Sequence, residues 1–208
     1  MDETAEVQAL LDRLQSGDQG ALGELFSRYR ERLARMIQFR LDGRLKGRIA
    51  TSDVLQEAYI DALKRLPHFQ TVPDMPFLIW LRWVTMQRLV EVHRQHLGAQ
   101  MRDAGREVAL RPGGVLSASS EKIADFIGDL TSPSRAAERA EAMDQLREAL
   151  EGLDPTDREV LALRHFEELT NQEAAAVLGI QPAAASKRYV RALERLKGAL
   201  EQLQGSEE

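Results

Sequence analysis

The sequence predicts an all-α protein built from two small helical domains joined by a flexible linker, the second of which contains a helix-turn-helix. Apolar residues recur at steps of three and four over long segments, which is the spacing of an amphipathic helix. Alternating β-branched runs are scarce, and prolines and glycines cluster between the helical segments. The periodicity stops between residues 98 and 132, so the predicted domains are residues 1–97 and 133–208.

The first domain is expected to consist of helices throughout. Apolar residues at helical spacing cover residues 7–14 and 22–37, with a Ser-Gly-Asp break between them. A third helix starts at the Thr-Ser-Asp cap of residues 51–53. Pro67 should stop this helix, because proline removes a backbone donor. A fourth helix is predicted over residues 77–97.

The predicted linker, residues 98–132, is rich in Gly, Pro and Ser, which is the composition of an irregular segment. A helix is then expected from about residue 133 to residue 152. Asp154 should cap the next helix and Pro155 should occupy its first turn, where the missing N–H has no cost. This helix is predicted to reach about Phe166.

Residues 169–200 predict the helix-turn-helix. Thr170 and Glu173 have the spacing of a capping box at a helix start. Gly179 can take the left-handed conformation that ends this helix, and Pro182 suits the first turn of the next one. A glycine turn followed by a basic helix with small residues at its start is typical of a DNA-binding motif. Many helix pairs of this kind are only packing units, so the motif alone leaves that alternative open.

The second helix of this motif should have two faces. Its apolar side is expected to carry Tyr189, Leu193 and Leu196. The opposite side presents small, hydroxyl and basic residues, namely Ala183, Ala184, Ser186, Lys187, Arg188 and Arg191. Small residues at the start of the helix would allow its N-terminus to approach base edges closely.

The composition excludes several classes of function. The chain has no cysteine, so it can form neither a disulfide framework nor a thiolate site. It has no Gly-rich phosphate loop, no His-Glu-x-x-His pair and no nucleophile elbow, so we expect neither an enzyme nor a bound cofactor. No apolar run approaches the ~20 residues that span a bilayer, and the N-terminus lacks the layout of a secretory signal. A cytoplasmic protein without membrane insertion is therefore expected.

The charge is unevenly distributed, although the net charge is −5. Residues 27–48 and 181–197 are strongly basic, whereas residues 121–159 are dominated by Asp and Glu. Two basic modules separated by an acidic connector indicate contact with nucleic acid or with another acidic partner. Arginine-rich helix faces that are merely solvated would give the same pattern.

Two segments in the first domain and one in the second carry a family resemblance. The first domain contains Asp-Val-Leu-Gln-Glu at residues 53–57 and Phe-Leu-Ile-Trp-Leu at residues 77–81. The second domain has Leu153 followed by Arg-Glu-Val at residues 158–160, just before the helix-turn-helix. Together these segments resemble the second and fourth regions of the sigma-70 family of bacterial RNA polymerase initiation factors. Two such regions joined by a short linker are similar to the extracytoplasmic-function (ECF) group.

The resemblance implies a dissociable factor that binds core RNA polymerase, directs it to a class of promoters and helps to open the DNA. In the family, the helix with the Asp-x-x-Gln-Glu pattern docks on the clamp of the polymerase β′ subunit. The matching positions here are Asp53, Gln56 and Glu57, with Asp61 on the same helix face. Carboxylates and an amide on one face suit a basic partner surface.

The resemblance assigns promoter contacts to both domains. The 67–77 loop and the helix after it match the part that recognises and melts the −10 element. The candidates there are the loop itself and Arg82, Trp83, Arg88, His93 and Arg94, together with His96. Trp80 lies on the apolar stripe and is expected in the core. The basic face of the helix-turn-helix matches the −35 reader: Lys187 is the best candidate for a guanine contact, and Arg188 for a phosphate contact.

Further partners follow only from the resemblance. They are the β flap of core polymerase, promoter DNA and an anti-sigma factor, which restrains some members of the group. His93 and His96 share a helix face, with Glu91 nearby, and raise a metal alternative. A zinc site needs three or four convergent ligands and no other histidine lies near in sequence, so no metal is expected. The runner-up function is an autonomous helix-turn-helix regulator with an N-terminal dimerisation or sensing domain.

Overall fold

The computed structural model describes residues 3–69, 75–97, 123–124 and 136–205, and every regular element in these ranges is helical. The predicted all-α class is therefore confirmed. The helices are α1 (Glu3–Gln15), α2 (Gly20–Arg40), α3 (Thr51–Phe69), α4 (Phe77–Leu97), α5 (Ala136–Glu151), α6 (Pro155–Leu161), α7 (Asn171–Leu178) and α8 (Pro182–Gly205), with a 3-10 turn at Gly43–Leu45 and a π-helical turn at Ala162–Phe166. None of the helices in the described ranges is both long enough and apolar enough to cross a membrane.

The chain divides into two compact units, residues 1–108 and 109–208. Most of the predicted linker, residues 98–132, lies outside the described residues, and so does the predicted start of the second domain at residue 133. Of the linker, only Ile123 and Ala124 are described, and both are buried. The predicted domain bounds therefore stay predictions.

The core of the first unit lies where α2, α3 and α4 pack on one another, with α1 against α2. Leu22, Leu25 and Ile37 of α2 are fully buried. Trp80 of α4 is 2% exposed, which confirms its predicted place in the core. Its ring lies 4.8 Å from that of Phe69 between centroids.

The predicted end of α3 at Pro67 is wrong, because the helix continues to Phe69 with Pro67 inside its last turn. Pro67 itself has no backbone N–H, so the helix loses one hydrogen bond there. Only two residues of the helix follow it. The ring of Phe69 packs 5.4 Å from Phe77 and 4.8 Å from Trp80. This aromatic packing stabilises the last residues of α3 and offsets the hydrogen bond that Pro67 cannot make.

The second unit is built around α8, which packs against α5, α6 and α7. The predicted start of α6 is present: Asp154 Oδ1 accepts the N–H of Thr156 at 2.8 Å, and Pro155 occupies the first turn. The predicted end near Phe166 is reached, but the last five residues form the π-helical turn.

Candidate nucleic-acid and partner-binding surfaces

One face of α3 presents polar side chains to solvent. Asp53, Gln56 and Glu57 are exposed and lie at steps of three and four, so they share one side of the helix. We call these three residues the α3 face. Ile60 is 43% exposed and Leu63 is 36% exposed, and they continue the same side over the next two turns. Helical spacing in the sequence predicts that Leu63 is buried with Leu55, Ala62 and Leu66. For Leu63 this prediction is wrong, because its side chain lies at the surface.

An ion-pair network links α3 to α4. Arg88 donates from Nε and Nη2 to Asp61 Oδ2 at 2.8 and 2.5 Å. Its Nη1 also lies 3.4 Å from Glu57 Oε2. The Asp61 side chain is only 13% exposed. Two residues that the sequence assigns to different surfaces, Asp61 for polymerase and Arg88 for DNA, are therefore partners.

The remaining candidates on α4 divide between the interior and the surface. Arg82 is 3% exposed and His93 is 1% exposed. The Nε2 atom of His93 accepts the backbone N–H of Asp42 at 3.1 Å, which connects the end of α4 to the segment after α2. A nitrogen that accepts a hydrogen bond carries no proton, so this contact requires the neutral ring.

At the surface of α4 are Trp83, Arg94 and His96. Trp83 is half-buried, and the guanidinium of Arg65 lies 5.3 Å from the centre of its ring. Arg94 is exposed and forms an ion pair with Glu91. His96 is exposed while His93 is buried, so the two rings do not present a common ligand face. Among the described residues, no group of three or more side chains could hold a metal ion.

The two helices α7 and α8 and the turn between them occupy the predicted positions. The capping box is complete: Thr170 Oγ1 accepts the N–H of Glu173 at 3.2 Å, and Glu173 Oε2 accepts the N–H of Thr170 at 2.7 Å. Gly179 ends α7 with φ 65° and ψ 33°. Asn171 Nδ2 donates to the carbonyl of Pro182 at 2.8 Å and so joins the starts of the two helices.

The solvent side of α8 presents most of the predicted recognition residues. Ala183, Ala184, Ser186, Lys187 and Arg191 are exposed. The inward side is lined by Ala185 and Ala192, both fully buried, with Tyr189 half-buried. The predicted place of Leu193 on the inward side is wrong, because it is 37% exposed. The reason is that α8 is held by small residues and by charged contacts, so its apolar packing stripe is narrow.

Asp157 fixes α8 to α6. Its side chain is only 6% exposed, and its Oδ2 accepts from Arg195 Nη1 at 2.5 Å. Its Oδ1 lies 3.7 Å from Arg188 Nη1. Arg188, a predicted phosphate contact, is thus partly engaged within the unit, and its side chain is 36% exposed.

A second cluster joins α8 to the π-helical turn. The hydroxyl of Tyr189 and Nε2 of His165 are 2.9 Å apart, and the guanidinium of Arg164 lies 5.5 Å from the centre of the tyrosine ring. Arg164 Nη1 also donates to the carbonyl of Leu169 at 2.7 Å. Partial burial lowers the pKa of His165, and the charge of Arg164 lowers it further. The neutral ring is therefore favoured beside α8.

A family model described as ECF sigma factor matches residues 4–202 of the chain. The chain belongs to the ECF sigma factor family. The match includes the α3 face, the whole of α4 and of α7, and α8 up to residue 202. As a sigma factor, the protein binds core RNA polymerase and directs promoter-specific initiation of transcription, and the family consists of non-catalytic initiation factors.

Named relatives of this sigma factor are of similar length. The ECF sigma factor SigD of Mycobacterium tuberculosis is 26% identical over 191 residues, which are 92% of this chain and 82% of SigD. The sigma-H factor of Pseudomonas aeruginosa is 28% identical over 200 residues, and the match covers 94% of each chain. The sigma-E factor of Escherichia coli is 25% identical over 203 residues, which are 98% of each chain.

A similar solved structure is that of CnrH in complex with the cytosolic domain of CnrY. It shares 27% identity with this sigma factor and superposes with a TM-score of 0.50, covering 93% of this chain and 96% of CnrH. The likeness extends over both units of the chain.

The sequence does not predict that Asp157, Arg164 and His165 contact α8. Asp157 follows a helix cap in an acidic segment and looks like a solvated carboxylate, yet it anchors α8. Arg164 and His165 stand in a stretch without a motif. Only the three-dimensional fold brings these side chains to α8, because Tyr189 lies 24 positions after His165 and Arg195 lies 38 positions after Asp157.

Proposed function

We propose that the first unit docks on the β′ clamp of core RNA polymerase through the α3 face. The observation that supports this proposal is the exposure of Asp53, Gln56 and Glu57 on successive turns of one rigid helix. Two of the three are carboxylates, so the face suits a basic partner surface. The exposed Ile60 and Leu63 beside it add apolar area of the kind found at the centre of an interface.

Asp61 has a different role in this proposal. Its side chain is mostly buried and accepts hydrogen bonds from Arg88. It therefore holds α3 against α4 and does not contact the polymerase. Arg88 likewise acts as a support rather than as a DNA contact. Its second contact, to Glu57, reaches the α3 face itself.

The −10 element is contacted by the surface side of α4. Trp83 offers a half-exposed ring on which an unpaired base can stack, and the neighbouring Arg65 adds positive charge. Arg94 is placed to contact phosphate. Arg82 and His93 are too buried to reach DNA, so they support α4 from the inside.

The N-terminal half of α8 reads the −35 element in the major groove. Ala183 and Ala184 leave room for close approach, and Lys187 is the exposed cation that can donate to guanine. Ser186 and Arg191 are placed for phosphate. Arg188 contributes charge at the edge of the site while it remains tied to Asp157.

Regulation and location form a further part of the proposal. The similarity to CnrH, which was solved with the cytosolic domain of CnrY, supports binding of a regulatory protein such as an anti-sigma factor when polymerase is absent. We also place the protein in the cytoplasm, with the second unit contacting the β flap of the polymerase. It acts without covalent chemistry and without a cofactor.

The docking role is tested by the affinity of the purified protein for core polymerase. The variant Asp53→Arg with Gln56→Ala should bind about tenfold more weakly or worse, because like charges across an interface cost several kcal/mol. The matched control, Glu31→Arg with Gln38→Ala, also replaces a carboxylate by arginine and a glutamine by alanine, at exposed positions of α2, and should bind normally. Unchanged affinity of the first variant would remove the α3 face from the interface.

The reading role of α8 is tested by initiation from promoters with substitutions in the upstream element. Lys187→Ala should lose preference for its guanine by roughly 5- to 150-fold, since a good base contact is worth about 1–3 kcal/mol. Lys197→Ala, an exposed lysine further along the same helix, is the control. Tight and specific duplex binding by the protein without polymerase would instead favour an autonomous regulator.

A further inference from the structure

The segment between α2 and α3 forms an ordered turn that carries positive charge. Leu45 is 2% exposed and anchors the turn in the first unit. Its carbonyl accepts the N–H groups of Arg48 and Ile49 at 3.0 and 3.1 Å. Gly47 has φ 81°, a conformation that glycine adopts without strain. These contacts define the basic turn, residues 43–49, as a fixed element.

Lys46 and Arg48 project from the basic turn into solvent. Both are exposed, and no carboxylate of the described residues lies within 4.0 Å of either cation. Arg44 differs from them, because its Nε donates to Asp42 Oδ1 at 2.9 Å and its Nη2 to Asp42 Oδ2 at 3.0 Å. Lys46 and Arg48 therefore present two positive charges that form no ion pair with the described residues.

The basic turn lies beside the C-terminal end of α4. The hydrogen bond from the Asp42 N–H to His93 Nε2, 3.1 Å long, joins the residue that precedes the turn to the last turns of the helix. Arg94 and His96 follow at the surface. Of the carboxylates at this end of the unit, Asp42 is paired with Arg44 and Glu91 with Arg94, so the remaining charge is positive.

We infer that Lys46 and Arg48 bind the phosphate backbone of promoter DNA next to the −10 contacts of α4. This inference rests on the proposed function, which places the surface of α4 against DNA. The six residue-to-residue steps from Asp42 to Arg48 span at most ~20 Å, and a duplex carries one charge per ~1.7 Å of its axis, so several phosphates lie within reach of the turn. Lys46 and Arg48 are positively charged, whereas the α3 face carries negative charge. The basic turn and the α3 face therefore suit partners of opposite charge.

Phosphate contacts fix position without reading sequence, and each one releases bound counterions. The two side chains should therefore strengthen binding to every promoter by a similar factor. Their signature is the dependence of promoter affinity on salt, not a change in promoter preference.

The test measures the promoter affinity of the reconstituted holoenzyme at several salt concentrations. The double variant Lys46→Gln with Arg48→Gln should reduce the slope of log affinity against log salt by about 1.4–1.8, and each single variant by about half of this. Arg30→Gln is the matched control, because Arg30 is exposed on α2 and forms no ion pair with the described residues. Its slope should equal that of the wild type.

Two results would overturn the inference. One is an unchanged slope for the double variant while the wild-type holoenzyme binds the promoter specifically. The other is a loss of affinity for core polymerase without DNA, which would assign the turn to an acidic polymerase surface. A wild-type holoenzyme without specific promoter binding would count against the proposed function itself, so the two failures are distinct.

Discussion

The contact between Asp61 and Arg88 should be a net stabilising ion pair, unlike most ion pairs at protein surfaces. Exposed pairs typically contribute about 0–1 kcal/mol. Here two nitrogens of Arg88 meet Asp61 Oδ2 at 2.5 and 2.8 Å, and the two side chains are only 24% and 13% exposed. Hydrogen bonds to charged groups in such settings contribute about 1.5–3 kcal/mol. Allowing for the remaining solvent screening, we expect a coupling free energy of about 1–2 kcal/mol.

The measurement is a double-mutant cycle on urea unfolding of the full chain, with Arg88→Ala, Asp61→Ala and the combination. Proteins with two units need not unfold in a single transition, so the probe must report on one unit. Tryptophan fluorescence does this, because the two tryptophans of the chain, Trp80 and Trp83, both lie on α4. The unfolding midpoint of the first unit then gives each free-energy difference.

A second ion pair within α4 gives a reference value for the coupling free energy of an exposed pair. Glu91 and Arg94 also form an ion pair, but their side chains are 32% and 52% exposed, so their coupling should stay below about 0.5 kcal/mol. If the coupling between Asp61 and Arg88 is no larger than that of this exposed pair, burial does not strengthen the contact.

Three further predictions concern the second unit. Gly179→Ala should destabilise it by about 1 kcal/mol, because a non-glycine residue at φ 65° is strained even though a Cβ there meets nothing within 4 Å; thermal unfolding followed by circular dichroism checks this. Thr170→Ala should cost about 1 kcal/mol in the same assay and Thr170→Ser much less, since serine keeps the capping oxygen. Since the pKa of His165 is lowered in the folded protein, the unfolded chain binds more protons, so stability should fall as the pH drops below about 6.5. His165→Gln should flatten this pH dependence of the urea midpoint of the second unit, and His96→Gln, which changes a histidine of the first unit, is the control.

Local signals predicted the helical elements well, because those signals depend on residues close in sequence. The capping box at Thr170, the left-handed Gly179 and the first-turn proline of α6 are determined within three or four residues. The end of α3 was not predictable in this way. Pro67 is a strong local stop signal, but packing of Phe69 on α4 decides where the helix ends.

The candidate site was predictable in its residue types and only partly in its geometry. Helical spacing shows which residues share a face, and the α3 face lies at the surface as expected. Spacing does not show which charged residues have partners. Arg82 and Arg88 look alike in the sequence, yet one is buried and the other pairs with Asp61 across 27 positions. Such pairs arise from the packing of whole helices, which a single sequence does not reveal.

Site-specific crosslinking reports which polymerase subunit the α3 face contacts, and we expect that subunit to be β′. A photoreactive amino acid replaces Gln56, which is exposed at the centre of the face, or Gln38, which is exposed on α2 and serves as the control. After addition of core polymerase and illumination, the probe at Gln56 should crosslink to the β′ subunit and the probe at Gln38 should not. Crosslinking of Gln56 to another subunit, or equal crosslinking from both positions, would contradict the claim.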